Sequence, residues 1–209
     1  MPPLKKVSLS LGLLALFLLA SSQTARADAF QLTNNNFGQP GSLGTITTTL
    51  QGNGTILVNV QLTAGYVLHS NDAVGFNVVG SYAGIDISNI TCTQATPCNF
   101  FTEGNGGSFN GYGSFAYSLD GQTTSVARTN NLNNLTFVVS TTTPGGFTSA
   151  GALQPFAVQI ALRAAGGATG FASSSPDAVP EPTSLFLLGS GLLGLGATVR
   201  HSRRKRRED

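Results

Sequence analysis

The alternation of apolar and polar residues in the middle of the chain constrains its fold more than any other feature. In the sequence TILVNVQLT of residues 55–63, every second residue from Ile56 onward is apolar, and Asn59 and Gln61 stand between them. The same period of two recurs in three later segments, residues 74–78, 135–139 and 156–162. Such a period is typical of strands with one buried face, and no stripe of helical period and length interrupts it. The middle of the chain is therefore predicted to be all-β.

Turn residues between these segments predict antiparallel order. Asn53 and Gly54 separate residues 45–50 from residues 55–63, and an Asn-Gly pair between two alternating segments is a strong hairpin signal. With later turn signals, the spacing indicates about eight to ten short strands. This pattern favours an antiparallel β-sandwich or jelly-roll-like ectodomain.

The charged residues are concentrated at the two ends of the chain. They make up 10% of the 209 residues, and Arg128 and Arg163 are the only cations between residues 28 and 179. Nucleic-acid binding requires a clustered basic face, so the composition of the middle segment excludes it. Low charge together with recurrent Val, Ile, Leu and Phe favours an ordered, exported β-protein over a disordered chain.

The N-terminus has the organisation of a secretory signal peptide. A basic start precedes an uncharged, Leu-rich core at residues 7–20, and Ala25 and Ala27 form the small-x-small pattern that signal peptidase cleaves after. The core is short for a membrane span, which favours cleavage over a retained helix. We therefore expect a signal peptide of residues 1–27 and a mature chain that begins at the next residue.

The C-terminus predicts a short transmembrane helix followed by a cytoplasmic tail. Residues 184–199 carry no charge and would be about 24 Å long as a helix, against a bilayer core of about 30 Å. Positive segments resist translocation, so the tail should stay inside while the middle domain lies outside. The basic residues of the tail are Arg200, Arg203, Arg204, Lys205, Arg206 and Arg207.

Three features of this tail occur together at the end of the chain: the triplet Pro180, Glu181 and Pro182, the short Leu/Gly-rich segment, and the Arg cluster. The combination resembles the PEP-CTERM sorting signal. The resemblance implies recognition by an exosortase, a membrane-embedded cysteine protease of Gram-negative bacteria, with cleavage near the triplet. It further implies transfer to the cell surface or to the exopolysaccharide matrix.

The chemistry of the triplet fits recognition by a protease. Two prolines fix φ and block helix formation, which keeps the backbone extended and accessible. Glu181 is the only charged residue between Asp177 and Arg200, so it can serve as the recognised group. The alternative is that the triplet only stops a helix at the membrane edge.

These features divide the chain into four parts. The signal peptide is followed by an ectodomain at residues 28–163 and by an Ala/Gly/Ser-rich stretch at residues 164–178, which is predicted to be a flexible linker. The sorting signal occupies residues 179–207. Within it lie the triplet at 180–182, the helix at 184–199 and the basic tail at 200–207.

Cys92 and Cys98 are the two cysteines of the chain. An even number of cysteines close together in an exported protein predicts a local disulfide. A zinc site is not expected, because His69 is the only histidine outside the tail and the spacing of zinc ligands is missing. We expect no metal and no cofactor.

Two groups of residues are candidates for chemistry in the ectodomain. His69 could act as a base with Asp72, although a histidine in a turn is the simpler interpretation. Tyr112 and Tyr117 could stack on sugar rings, whereas a plain core role is the simpler interpretation for the aromatic residues of this glycine-rich stretch. No catalytic residue is assigned.

The sequence thus predicts an exported surface or matrix protein with a non-enzymatic structural or adhesive role. A carbohydrate-binding or ice-binding module is the alternative: Thr45, Thr47 and Thr49 alternate along one segment, but a single strand cannot make a flat array. A hydrolase is the least favoured class. The expected partners are signal peptidase, exosortase, the membrane and exopolysaccharide.

Overall fold

The fold is built almost entirely from β-strands. The computed structural model describes residues 26–69, 71–93, 98–164 and 166–174. Within them lie thirteen strands, which are β1 Ala27–Asn35, β2 Gly44–Leu50, β3 Ile56–Leu62, β4 Tyr66–Leu68, β5 Val74–Val78, β6 Asp86–Cys92, β7 Thr102–Gly104, β8 Gly107–Phe109, β9 Gly113–Phe115, β10 Tyr117–Asp120, β11 Asn134–Ser140, β12 Leu153–Leu162 and β13 Thr169–Ser174. One helix, α1 Thr124–Thr129, and a 3-10 turn, Ala150–Ala152, interrupt them.

Eleven of the strands form one antiparallel sheet that is nearly closed into a barrel. Its order is β6-β11-β3-β2-β1-β13-β12-β5-β10-β7, and β4 pairs with the end of β12. Strands β8 and β9 form a separate hairpin. The two edge strands β6 and β7 also contact each other, which shows that the sheet curves until its two edges meet.

Strand β1 divides this sheet into two halves. Residues 27–31 pair with β2, whereas residues 32–35 pair with β13, and the register shifts between Leu32 and Asn34. An irregularity of this kind bends a strand and increases its twist, so β1 can serve both halves. We call β6, β11, β3, β2 and residues 27–31 the open half; residues 32–35, β13, β12, β5, β10 and β7 are the covered half.

The core lies between the two halves and is rich in phenylalanine. Phe76 of β5 is 6.0 Å from Phe137 of β11 and 5.9 Å from Phe156 of β12, measured between ring centroids. Phe30 of β1 packs against Phe156 at 5.4 Å. The contacts of Phe76 with Phe137 and of Phe30 with Phe156 join strands of the open half to strands of the covered half. Burying each such ring stabilises the fold by about 1.5–3 kcal/mol.

A disulfide lies beside the seam where the two edges of the sheet meet. Cys92 ends β6 and is bonded to Cys98, as the sequence predicts. The N–H of Cys98 donates to the carbonyl of Ile90 at 3.2 Å, so the returning chain covers part of the free edge of β6. An uncovered edge strand invites pairing with other chains, and this loop reduces that exposure.

The prediction of an all-β antiparallel domain is confirmed, and so is the hairpin at Asn53 and Gly54. Leu50 of β2 is paired with Ile56 of β3 across that turn. The described strands outnumber the eight to ten expected. They form one continuous, nearly barrel-like sheet, and the finer sandwich or jelly-roll topology stays a prediction.

Strand β13 contradicts part of the prediction that residues 164–178 form a flexible linker. Residues 169–174 were expected to be flexible, but they pair with β1 on one side and with β12 on the other. Ala172, Ser173 and Ser174 are buried. The folded domain therefore extends beyond residue 163 to Ser174.

The short helix α1 packs against β4 and β12. Among the residues described, we find no helix with the length and hydropathy to cross a membrane. The predicted transmembrane helix at 184–199 falls outside the described ranges, as does the signal peptide up to Ala25. Ala27, the residue before the predicted cleavage point, is the first residue of β1.

Candidate functional site

The outer surface of the covered half is occupied by the β8–β9 hairpin. Phe109 of the hairpin is fully buried and forms a second apolar cluster with Phe115 and Ala157. Ala157 is paired with Gly75 of β5, and a Cβ added at Gly75 would clash with the ring of Phe109. A glycine is needed there because the ring lies directly on the backbone. The hairpin is thus seated on the sheet by Phe109.

Asn36 ties this hairpin to the sheet. Its Nδ2 donates to the carbonyl of Asn110 at 2.8 Å, and its Oδ1 accepts from the N–H of Phe171 at 2.8 Å. Phe171 of β13 also packs against Phe109, with ring centroids 5.7 Å apart. One amide therefore links the hairpin turn, the segment after β1 and the strand β13.

The two candidate sugar-stacking tyrosines belong to different clusters. Tyr112 lies in the hairpin turn and packs against the cluster of Phe109, and burial raises the pKa of its hydroxyl. Tyr117 of β10 stacks on Phe76 of the main core, with ring centroids 5.6 Å apart. The structure does not assemble them into one aromatic platform. A ligand contact by Tyr112 stays a prediction.

His69 follows β4 and is buried in the interior. Its Nδ1 is 3.1 Å from the hydroxyl of Thr124, while its Nε2 has no hydrogen-bond partner among the residues described. Burial lowers the pKa of His69; a main-chain group of Ile160 opposes this shift, and the positive charge of Arg128 adds to it. Burial therefore favours the neutral form of the imidazole and keeps it away from solvent.

Asp72 has different neighbours from His69. Its N–H donates to Oδ1 of Asp120 at 3.1 Å. Burial and the carboxylate of Asp120 raise the pKa of Asp72, and a hydrogen bond from Ser118 acts in the opposite direction. Ser118 also accepts from the N–H of Gly106 at 3.2 Å, at the entrance to the hairpin. Sequence spacing did not connect Asp72 with Asp120, because pairing of β5 with β10 brings them together.

A small apolar cavity opens where β13 ends. Its volume is about 250 Å³, and it is lined by Phe30, Val79, Gln154, Pro155 and Ser174. None of these side chains titrates, so the cavity offers no general acid or base. Nor does the described part of the chain contain a group of three His, Cys, Asp or Glu side chains placed to hold a metal ion.

The outer surface of the open half has a different character. Thr45 and Thr47 of β2 face outward between the buried residues Gly44, Ile46 and Thr48. Cross-strand pairing extends them into two rows. The first row is Gln31, Thr45, Gln61 and Asn134, and the second is Ala29, Thr47, Asn59, Thr136 and Thr91. We call the central six side chains the neutral face: Thr45, Thr47, Asn59, Gln61, Asn134 and Thr136.

Side chains of the neutral face bond to one another across strands. Nδ2 of Asn59 donates to Oγ1 of Thr136 at 2.8 Å, and Nδ2 of Asn134 donates to Oε1 of Gln61 at 2.8 Å. On the β1 side, the hydroxyl of Thr45 donates to Oε1 of Gln31 at 3.2 Å. The face is therefore an uncharged array of amides and hydroxyls that takes part in three separate cross-strand pairs.

The residues assigned to sorting lie outside the described ranges. These residues are Ala25 at the signal cleavage site, the triplet Pro180, Glu181 and Pro182, and the basic residues Arg200, Arg203, Arg204, Lys205, Arg206 and Arg207.

Comparison with known protein families gives one match, at this C-terminal end. Residues 178–205 match the PEP-CTERM protein-sorting motif. This confirms the resemblance seen in the triplet, the Leu/Gly-rich segment and the Arg cluster. The motif implies an exported protein that an exosortase sorts. Neither curated proteins nor solved structures give a match to the chain.

Proposed function

We propose that the protein is a surface or extracellular-matrix protein of a Gram-negative bacterium, with a non-enzymatic structural or adhesive role. The PEP-CTERM motif at residues 178–205 is the observation that carries this proposal. In this account signal peptidase removes residues 1–27, and residues 184–199 hold the chain transiently in the inner membrane. Exosortase then cleaves near Glu181, and a β-sandwich-like ectodomain reaches the cell surface or the exopolysaccharide matrix.

The proposed cleavage motif follows the end of β13 closely in the sequence. Ser174 is buried in the sheet, and Pro180 follows it by six residues. Six residues span at most about 22 Å when fully extended. The protease must therefore work beside the ectodomain, which acts as a compact body close to the membrane until it is released.

Two features of the ectodomain support a non-enzymatic role. His69 is buried beside Thr124, whereas Asp72 is next to Asp120. The two residues that were candidates for an acid–base pair therefore have different neighbours. The cavity at the end of β13 is lined by side chains that do not titrate. A hydrolase remains the least favoured class.

A carbohydrate-binding or ice-binding module is the second candidate. The neutral face favours it, because Thr45 and Thr47 are joined by amide side chains of two further strands and so do not stand alone. This candidate is compatible with the first, since a matrix protein can hold its place by binding polysaccharide.

The sorting part of the proposal is tested by changing the triplet. Glu181→Ala, or deletion of residues 180–182, should leave the chain uncleaved and bound to the inner membrane. Asp177→Ala is the matched control, because it removes the nearest acidic residue outside the triplet and should be processed normally. Fractionation followed by gel mobility provides the measurement. Unchanged cleavage and unchanged surface release in both triplet variants would refute exosortase sorting.

A further inference from the structure

We propose that the neutral face binds an uncharged polysaccharide chain. The inference rests on the proposed adhesive function and adds to it a binding surface and a class of ligand. The side chains that carry it are Thr45, Thr47, Asn59, Gln61, Asn134 and Thr136.

The first support is that this surface is broad and that no strand or hairpin among the described residues packs on it. Gln31 on β1 and Thr91 on β6 extend the two rows, so the array crosses five adjacent strands. Neighbouring strands are about 4.8 Å apart, which makes the array about 19 Å wide. The equivalent surface of the covered half is occupied by the hairpin that Phe109 seats on Gly75. Only the open half therefore presents an array wide enough for several units of a polymer.

The second support is that the polar groups are already held in place. Asn59 is bonded to Thr136, and Asn134 is bonded to Gln61. A carboxamide has two N–H donors and an oxygen with two lone pairs, so one cross-strand bond leaves further capacity for a ligand. Side chains that are fixed before binding lose less conformational entropy when a ligand arrives. A fixed array of donors and acceptors suits sugar hydroxyls, which both donate and accept.

The third support is the chemistry that the face lacks. An acidic polysaccharide or a nucleic acid would need Lys or Arg side chains, and neither row of paired residues contains one. Protein interfaces are typically centred on aromatic residues and Arg, which are missing from these rows as well. Leu57 and Val138, paired in the adjoining row, are half-buried and supply apolar contact for the C–H groups of a sugar ring. An uncharged polysaccharide is the ligand that these properties fit.

The test is affinity electrophoresis of the full chain in a neutral detergent. Native gels contain dextran, hydroxyethyl cellulose or laminarin as neutral polymers, or alginate as the acidic one, and mobility is normalised to a gel without polymer. We expect at least one neutral polymer to retard the protein, and alginate to have no effect. Asn59→Ala should weaken retardation about two- to tenfold, as expected for the loss of one hydrogen-bonding group.

Thr47→Lys should abolish the retardation, because it places a long charged side chain at the centre of the face. Thr102→Lys is the matched control, since Thr102 is exposed on β7 of the covered half, and it should bind as the wild type does. Thermal unfolding of each variant verifies the fold. Should Thr47→Lys fail to fold, Asn59→Ala provides the same test through a smaller change.

The outcomes separate this inference from the proposed function. Retardation by a neutral polymer that persists in both Thr47→Lys and Asn59→Ala would show that the neutral face is not the binding site, while the proposed adhesive role would stand. Retardation by alginate alone, or by none of the four polymers, would contradict the proposal that the ligand is an uncharged polysaccharide. The proposal of sorting by exosortase would be unaffected. Self-association in sedimentation velocity that Thr47→Lys abolishes would show that the face binds a second copy of the chain, and would also overturn the inference.

Discussion

The open half and the covered half of the sheet use the same alternation for different purposes. In the covered half the outward residues are small, such as Gly75 and Ala157, and the β8–β9 hairpin packs on them. On the neutral face of the open half the outward residues are Thr, Asn and Gln, and two pairs of them bond across the strands. One surface is used for stability, whereas the other is left available for contact.

The largest effect should come from removing the residue that seats the hairpin. Phe109→Ala should lower the free energy of unfolding by about 3 kcal/mol, the lower end of the range for buried Phe→Ala changes, because the cluster is small. Thr47→Ala, the matched change in the open half, should cost less than about 0.5 kcal/mol. Urea denaturation measures both. Equal losses would contradict the distinction between the two halves.

The disulfide should have the next largest effect, because it lies at the seam between the halves. Replacing both Cys92 and Cys98 by Ala should cost about 2 kcal/mol, the entropic value for a loop this short. Hydrogen exchange should show faster opening of β6, which ends at the bridge, than of β12 in the centre of the covered half. Unchanged exchange at β6 would mean that the disulfide does not hold the seam.

The smallest effect concerns pH, and it should arise from His69 at the end of β4, the strand that pairs with β12 of the covered half. The neutral face contains no titratable group. The pKa of His69 is lowered from its ordinary value of 6.5, so near pH 6.5 the unfolded chain binds a proton more readily than the folded chain. Stability should therefore fall as the pH decreases through 6.5.

Urea midpoints at pH 7.5 and pH 6.0 test this, with His69→Asn as the comparison. The wild type should lose stability over this range, and the variant should lose less. The raised pKa of Asp72 acts with the opposite sign, and its effect is common to the wild type and His69→Asn, so it cancels in the comparison. An equal loss in the two proteins would show that the pH dependence has another source.

The alternation and the turn residues were sufficient to predict much of the open half. Residues 55–63 and the Asn53–Gly54 turn predicted the β2–β3 hairpin, and the two cysteines predicted the disulfide. These elements are local, so neighbouring residues contain the information that defines them. The neutral face could not be predicted from local sequence, because Thr45, Asn59 and Thr136 are brought together only by the register of three strands.

Strand β13 shows why the boundary of the domain was wrong. Its sequence, TGFASS, has the small residues of a flexible linker. These residues are small because the strand is closely packed: a Cβ added at Gly170 would clash with Phe37 and with Asn36. Composition cannot separate a loose segment from one that is tightly covered.

The most direct test of the account is the intact mass of the protein recovered from the cell surface. Removal of the signal peptide and cleavage at the triplet predict a chain that begins at Asp28 and ends between residues 180 and 182. That product would retain every described strand of both halves, apart from Ala27 at the start of β1. A surface protein whose mass still includes the basic tail at residues 200–207 would contradict sorting by exosortase.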